Sequence, residues 1–338
     1  MSDFLLWIVI VAWIAAAAIK ATGRVRQLHE FDKKATIPLR GVLAMAVVLG
    51  HMATETACDF GFLKAVCWQQ QAVGVFFFLS GYGMSVSAAG KVNYMRNFLP
   101  RTAEKLFLPL CIVMSVIAIY EMVTGRFRLA NIALAYLHGN TVLCPYSWYV
   151  FELFLFAVIF FCANRLSKSN KLASLAITTC GAGLSVIAFR HVLHWPPWWQ
   201  LSLMAFPMGM AFATFEHRIN ESITQFKWRF YVLLIVAWTL VSAMQFSGGF
   251  WAQFVLQGTI GRVVVSCSLA VPVPKWKWMM FLGGISYELY LVHGVVKNNV
   301  CGRLVMIDVD LAGVVNIIAT ILVAWLFNRF RRRLPHVA

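Results

Sequence analysis

Residues 73–85 read VGVFFFLSGYGMS and form the middle of an apolar block at roughly 72–89. The block has the length of a membrane-spanning helix, which needs ~17–25 residues. Its polar and apolar residues do not alternate, whereas those of a membrane β-strand alternate over about ten positions. The stretch therefore predicts a helix that crosses a membrane.

The sequence contains ten further apolar blocks of similar length, two before this block and eight after it. The chain of 338 residues is 61% hydrophobic and 12% charged, while an ordinary soluble domain has about 25% charged residues. A soluble globule of this length could not bury that much apolar surface. We therefore predict an all-α polytopic membrane helix bundle with about eleven spans, at roughly 4–19, 37–53, 72–89, 106–124, 147–163, 172–189, 198–215, 230–246, 250–271, 278–296 and 311–328.

The placement of the basic residues explains the net charge of +16. Of the 29 Lys and Arg residues, 21 lie at alternate junctions and in the C-terminal tail, and six lie at the junctions between them. This split follows the positive-inside rule, so it predicts the N-terminus outside and the C-terminus in the cytoplasm. It also removes the need for a nucleic-acid partner. We interpret the block at 4–19 as a retained span rather than a cleaved signal peptide, because no basic residue precedes it.

Two ionisable residues share the second block. Residues 39–51 read LRGVLAMAVVLGH, so Arg40 lies roughly 16 Å along a helix from His51. The predicted orientation places Arg40 near the cytoplasmic face and His51 in the outer half. Ionisable groups inside a membrane are costly and commonly functional. Taken alone, each is also explained by a simpler role, because an Arg can reach the interface and a His can cap a helix end.

Polar residues also occur inside the third and tenth blocks. The third contains Ser80 and Tyr82, for which close helix packing is an adequate explanation. The tenth reads FLGGISYELYLVHG over residues 281–294, and its polar residues share one helix face. A face this polar predicts contact with a cavity or the protein interior, and its members include Ser286, Tyr287, Tyr290 and His293.

These three strings resemble the membrane acyltransferases of family 3. That family opens its first core span with an Arg, ten intervening residues and a His. An FFFLSGY-like stretch and an LGxxSYxxYLxH stretch follow in later spans, in the order found here. Two departures stand out: Ile37 and Pro38 precede Leu39 where the family often has an Asp, and the block at 4–19 is additional.

The resemblance implies a domain organisation and a reaction. Residues 37–328 would form the ten-helix acyltransferase domain, after an extra span and basic linker at 1–36 and before a basic cytoplasmic tail at 329–338. The chain would be a transferase in a bacterial cytoplasmic membrane. It would move an acyl group, usually acetyl, from cytoplasmic acyl-CoA to a glycan or related envelope acceptor at the outer face. Acyl-CoA is then a donor substrate, and we expect neither a permanently bound cofactor nor a metal.

The resemblance also assigns roles to single residues. His51 would act as general base, because a neutral imidazole can take a hydroxyl proton near neutral pH. Arg40 would hold an anionic group of CoA, with help from Arg101 and Lys105, although these two are equally explained as a positive-inside flank. The remaining candidates are catalytic or orienting residues at Glu152 and His293, and substrate-binding residues at Ser80, Tyr82, Ser286 and Tyr290.

Two questions stay open in the sequence. A transporter or flippase for a polar or lipid-linked substrate would also carry intramembrane charges and Gly-interrupted helices. Four cysteines in predicted outer segments either form disulfides or remain free thiols, and these are Cys58, Cys67, Cys144 and Cys301.

Overall fold

The structure is a computed structural model that describes residues 2–22, 33–55, 68–246, 249–304 and 309–333. Every apolar block of the sequence falls on a helix, and the predicted all-α class is confirmed for the described residues. The helices are α1 (Ser2–Thr22), α2 (Lys33–Glu55), α3 (Gln69–Gly90), α4 (Phe98–Val123), α5 (Leu129–Leu137), α6 (Trp148–Leu166), α7 (Lys171–Ile187, continued by a π-helical turn, Ala188–Val192), α8 (Trp198–Leu201), α9 (Ala205–Phe226), α10 (Trp228–Phe246), α11 (Phe250–Ala270), α12 (Lys277–Gly284), α13 (Ser286–Leu304) and α14 (Val309–Arg331).

The count of about eleven spans is not confirmed. Within the described ranges, six helices are long and apolar enough to cross a membrane, or eight segments if each of two bent helix pairs is one span. One pair bends by 111° between α9 and α10, and the other by 75° between α12 and α13. The predicted block at 278–296 is therefore two helices that break at Ile285.

Helix α3 lies at the centre of the bundle, packed against α2, α9 and α11. Its contact with α9 depends on two glycines that let the backbones touch. A Cβ at Gly81 would overlap the carbonyl of Phe206, and a Cβ at Gly209 would overlap the carbonyl of Phe78. In lipid the hydrophobic effect does not drive helices together, so small residues promote their association by allowing close van der Waals packing. The glycine of the FLSGY stretch is thereby explained by packing.

Helices α12 and α13 pack in succession along α2. The hydroxyl of Ser286 donates to the carbonyl of Gly283 at 3.0 Å and so satisfies a backbone acceptor at the break between them. Two turns later α13 reaches the C-terminal part of α2. A partly buried ion pair ties α13 to α14, since Arg331 contacts the buried Glu288 carboxylate at 2.7 Å. The break therefore sets which face of α13 meets His51.

Candidate functional site

Three aromatic side chains meet where the C-terminal part of α2 contacts α13. The His51 ring stacks on Tyr146, with 3.8 Å between ring centroids and 27° between planes. His293 lies 5.3 Å from His51 and 4.9 Å from Tyr146, nearly parallel to the tyrosine. We call His51, Tyr146 and His293 the ring cluster. The structure thus brings together two histidines that are 242 positions apart in the chain.

The hydrogen bonds of His293 fix its tautomer. Its Nδ1 lies 2.6 Å from the Tyr290 carbonyl oxygen. Only an N–H can approach a carbonyl at that distance, so Nδ1 is the donor and Nε2 of the neutral ring is the acceptor. That Nε2 is buried and has no hydrogen-bond partner among the described residues. An unused acceptor inside the bundle is suited to orient a proton on a neighbouring group.

Tyr146 lies in the loop between α5 and α6, and several contacts hold it there. Its backbone has φ +68°, a left-handed conformation that bulky residues rarely adopt. Its carbonyl accepts a hydrogen bond from the Tyr290 hydroxyl, and its own hydroxyl accepts a hydrogen bond from Lys297 Nζ at 2.6 Å. The Cys144 thiol also donates to the Leu291 carbonyl at 3.4 Å. Three hydrogen bonds therefore hold this loop against α13.

A cavity of about 580 Å³ opens beside the ring cluster. This volume is within the ~300–1,000 Å³ that is typical of small-molecule sites. Its wall combines aromatic rings with side-chain amides, and the amide-bearing residues are Gln69, Gln70, Asn140 and Asn298. The aromatic part of the wall consists of His51, Tyr146, Tyr290 and two tryptophans. Because all of these residues lie near helix ends, we call this end of the bundle the His51 end.

Arg40 lies eleven residues before His51 on α2, at what we call the Arg40 end. Its guanidinium is half-buried, and its Nε has no hydrogen-bond partner among the described residues. It interacts electrostatically with the Tyr149 hydroxyl, which also interacts with Ser80. The Tyr149 ring in turn packs edge-on against Tyr290 at 5.1 Å. Polar groups therefore continue from Arg40 towards the ring cluster through the interior.

Apart from Tyr290, which contacts Tyr146, the other predicted residues lie away from the ring cluster. Ser80 donates to the Phe76 carbonyl of its own helix at 2.8 Å. The Tyr82 hydroxyl donates to Glu216 at 3.0 Å on α9. Ser286 caps the break before α13, as described above. Arg101 and Lys105 are exposed on the first turns of α4 and line none of the cavities described here. Of the four predicted substrate-binding residues, only Tyr290 lines the cavity.

Glu152 occupies a separate place on α6. It is 1% exposed, and neither carboxylate oxygen has a hydrogen-bond partner among the described residues. It borders a smaller cavity of about 260 Å³, which shares Gly139 and Thr141 with the larger one. Aromatic rings form most of its wall, from Tyr136, Phe151, Phe189, Trp195 and Trp199. Two of these rings, Trp195 and Trp199, come from the segment between α7 and α9.

Sequence reasoning missed Tyr146 and Lys297. Each lies one residue outside a predicted apolar block, 147–163 for Tyr146 and 278–296 for Lys297, and so falls in a junction. Lys297 follows His293 by four residues, so the two share a helix face. That spacing is the one sequence signal that pointed to it. Nothing in the sequence pointed to Tyr146, which reaches the site through the path of a loop.

The described residues contain no group of three His, Cys, Asp or Glu side chains that could hold a metal ion. Cys144 is a buried free thiol, and burial raises its pKa to about 12. The side chains of Cys58, Cys67 and Cys301 lie outside the described residues. The open question of outer disulfides is therefore answered for Cys144 alone.

A comparison with protein families gives one match, to a family described as an acyltransferase domain, over residues 39–329. The matched range begins within α2 and ends within α14. It includes the whole ring cluster, Arg40 and both cavities. No curated protein and no solved structure matches the chain.

Proposed function

The chain belongs to the acyltransferase 3 family, and on that premise we propose that it transfers an acyl group across the membrane from acyl-CoA to a hydroxyl acceptor. The family match supports a membrane acyltransferase in general. The donor, the acceptor and the direction are our proposal. One observation carries it: His51 stands in a ring cluster beside a cavity, and an intramembrane Arg lies roughly 16 Å away on the same helix.

The donor would enter at the Arg40 end. CoA carries phosphates, and a guanidinium binds such groups through paired hydrogen bonds. Arg40 is half-buried and has an Nε without a hydrogen-bond partner in the described part of the chain. Arg101 and Lys105 add positive charge at the first turns of α4. The positive-inside split predicts that this end faces the cytoplasm, where acyl-CoA is found.

The reaction would take place at the ring cluster. The acceptor hydroxyl must lose a proton as its oxygen attacks the thioester carbon, and His51 is the imidazole that lines the cavity. His293 would act as a positioning residue, since its unused Nε2 lies in the same cluster. Glu152 lies in the neighbouring cavity, where it would contact an acceptor that extends past Gly139. Tyr290 would contact the substrate, and Ser80, Tyr82 and Ser286 would support the helices around it.

The acceptor would bind in the larger cavity at the predicted outer side. Amides from four residues and the rings of Trp148 and Trp198 line it. Amides exchange hydrogen bonds with sugar hydroxyls, while aromatic faces pack against sugar rings. A glycan of the bacterial cell envelope fits this combination better than an apolar acceptor does. Transfer to it would be an O-acylation, with acetyl as the transferred group in keeping with the resemblance.

The test uses native membranes that hold the acceptor and are supplied with [¹⁴C]acetyl-CoA. Label should enter the envelope glycan fraction only when the chain is expressed. His51→Ala should lower the rate by about 10²–10⁴-fold, because it removes a general base. The matched control is His217→Ala on α9, whose side chain is 86% exposed. A His51 variant that labels its acceptor at the wild-type rate would refute the mechanism.

A transporter remains the second candidate, and the two bent helix pairs favour it. Discontinuous helices are common where transporters bind their substrates. The same membranes separate the two functions. An acyltransferase leaves the label covalently attached to the glycan and releases free CoA in equal amount. A transporter moves labelled material across the membrane without releasing CoA.

A further inference from the structure

Tyr146, a member of the ring cluster, forms a hydrogen-bonded pair with Lys297. We propose that the Tyr146 hydroxyl, oriented by Lys297, donates a hydrogen bond to the thioester oxygen while the tetrahedral intermediate forms. Tyr146 is then a catalytic residue and Lys297 a positioning residue. The inference rests on the proposed function, because it presumes that an acyl thioester reaches His51.

The chemistry of the pair sets the direction of the hydroxyl proton. A lysine ammonium has three donors and no acceptor. Lys297 Nζ lies 2.6 Å from the Tyr146 hydroxyl, so the phenol oxygen must accept there. The phenol proton then points away from Lys297. Because Tyr146 lines the cavity together with His51, a substrate oxygen in that cavity is a suitable acceptor for it.

The charge on Lys297 strengthens the donor. A hydrogen bond accepted from a cation polarises the phenol, and polarised donors bind an oxyanion more strongly. The Lys297 side chain is only 6% exposed, and the ammonium also lies 5.2 Å from the Tyr146 ring centroid. A buried ammonium costs free energy of solvation. In this position the ammonium contacts both the hydroxyl and the ring of Tyr146.

The backbone shows that the tyrosine is fixed before the substrate binds. Its left-handed conformation costs free energy and persists only where the surroundings impose it. The Tyr290 hydroxyl holds its carbonyl, and Gly294 leaves room for its ring on α13. A donor that needs no reorganisation during the reaction gives the largest electrostatic stabilisation of a transition state.

The proposed step is a nucleophilic acyl substitution in which one carbon–oxygen bond forms and one carbon–sulfur bond breaks. The acceptor hydroxyl oxygen attacks the thioester carbon, and its proton moves to the His51 imidazole. The carbonyl electron pair moves to oxygen, which accepts the hydrogen bond from Tyr146. When the carbonyl re-forms, the carbon–sulfur bond breaks, and the departing thiolate takes the proton from His51. The products are an acyl ester and CoA, and both histidines are neutral again.

The first test is Tyr146→Phe, which keeps the stacked ring and removes the donor. Removal of one oxyanion donor costs about 10²–10³-fold in kcat. The KM for acetyl-CoA should stay within about threefold, because Arg40 is untouched. The control is Tyr231→Phe, a buried tyrosine on α10 whose hydroxyl donates to the Ser266 carbonyl at 3.4 Å. A folded Tyr146→Phe protein with wild-type kcat overturns the proposal.

The second test asks whether Lys297 acts through the hydroxyl. Lys297→Met keeps most of the side-chain volume and should lower kcat about tenfold. Added to Tyr146→Phe, it should lower kcat no further, since the group it orients is already gone. Fully additive losses would show that Lys297 acts elsewhere and would overturn its role as positioning residue.

A third measurement separates chemistry from structural damage. Incorporation of 3,5-difluorotyrosine at position 146 lowers the pKa of the phenol with little change of shape. An ionised phenol has no proton to donate, so the alkaline limb of the kcat profile should move to lower pH. An unmoved limb contradicts the proposal. If the wild-type protein transfers no acyl group at all, the proposed function fails; if only His51 variants are inactive, the failure is confined to Tyr146.

Discussion

Gly294→Ala tests the geometry of the ring cluster without touching any of its functional groups. A Cβ at position 294 would lie 2.7 and 2.8 Å from two ring carbons of Tyr146 and 2.9 Å from Cβ of Pro145. Carbon atoms pack at about 3.5–4.0 Å, so the tyrosine ring must retreat from α13 by about 1 Å. A displacement of that size at a catalytic group costs about 10²-fold in rate. We therefore expect kcat to fall about 100-fold.

The assay is CoA release and glycan labelling from acetyl-CoA, measured on protein whose fold is checked by its thermal denaturation. Overpacking should cost about 1–3 kcal/mol of unfolding free energy, which leaves the bundle folded. The matched control is Gly183→Ala on α7, where a new Cβ would meet nothing within 4 Å. It should keep full activity and gain about 1 kcal/mol from helix propensity. A folded Gly294→Ala protein with kcat within twofold of wild type would refute the placement of Tyr146.

Three further predictions concern other parts of the chain. Arg40→Ala should raise the Kd for acetyl-CoA by about 10–100-fold, as expected for loss of a charged hydrogen bond, and calorimetry showing an unchanged Kd would remove its role as donor site. Arg331→Leu leaves the buried Glu288 unpaired, so it should cost about 3–5 kcal/mol in thermal denaturation, and adding Glu288→Gln should recover most of the loss. With Cys144 as the single cysteine, a maleimide should label the folded protein slowly at pH 9 and the unfolded protein rapidly, because burial raises the thiol pKa from about 9 to about 12; equal rates would contradict its burial.

The sequence predicted the helices well because apolar blocks report lipid burial directly. It also placed Arg40 and His51 on one helix and gave α13 an inward polar face. The number of spans was less accessible. The block at 278–296 is apolar throughout, yet a 75° bend divides it at Ile285. Hydropathy measures the affinity of a segment for lipid and contains no information about its direction.

Candidate residues on α3 show a second limit. Ser80 and Tyr82 were assigned together to substrate binding because they share one motif. Residues two apart on a helix point to different sides. Ser80 accordingly lies near Tyr149, while Tyr82 reaches Glu216 on α9. A motif of apolar residues therefore identifies the helix of a site more securely than it identifies the side chains in it.

Six basic residues lie on the predicted outer side, and one of them, Lys297, belongs to the candidate site. The positive-inside rule explains the majority and leaves six residues unexplained. Among those that the structure describes, Arg126 and Arg128 are exposed, and Arg190 lies 4.0 Å from the ring centroid of Phe250. Lys297 differs, because it is buried and donates to a tyrosine beside His51. A buried cation on the predicted outer side is therefore a candidate for a role in the site, and its hydrogen bond to Tyr146 connects it to the ring cluster.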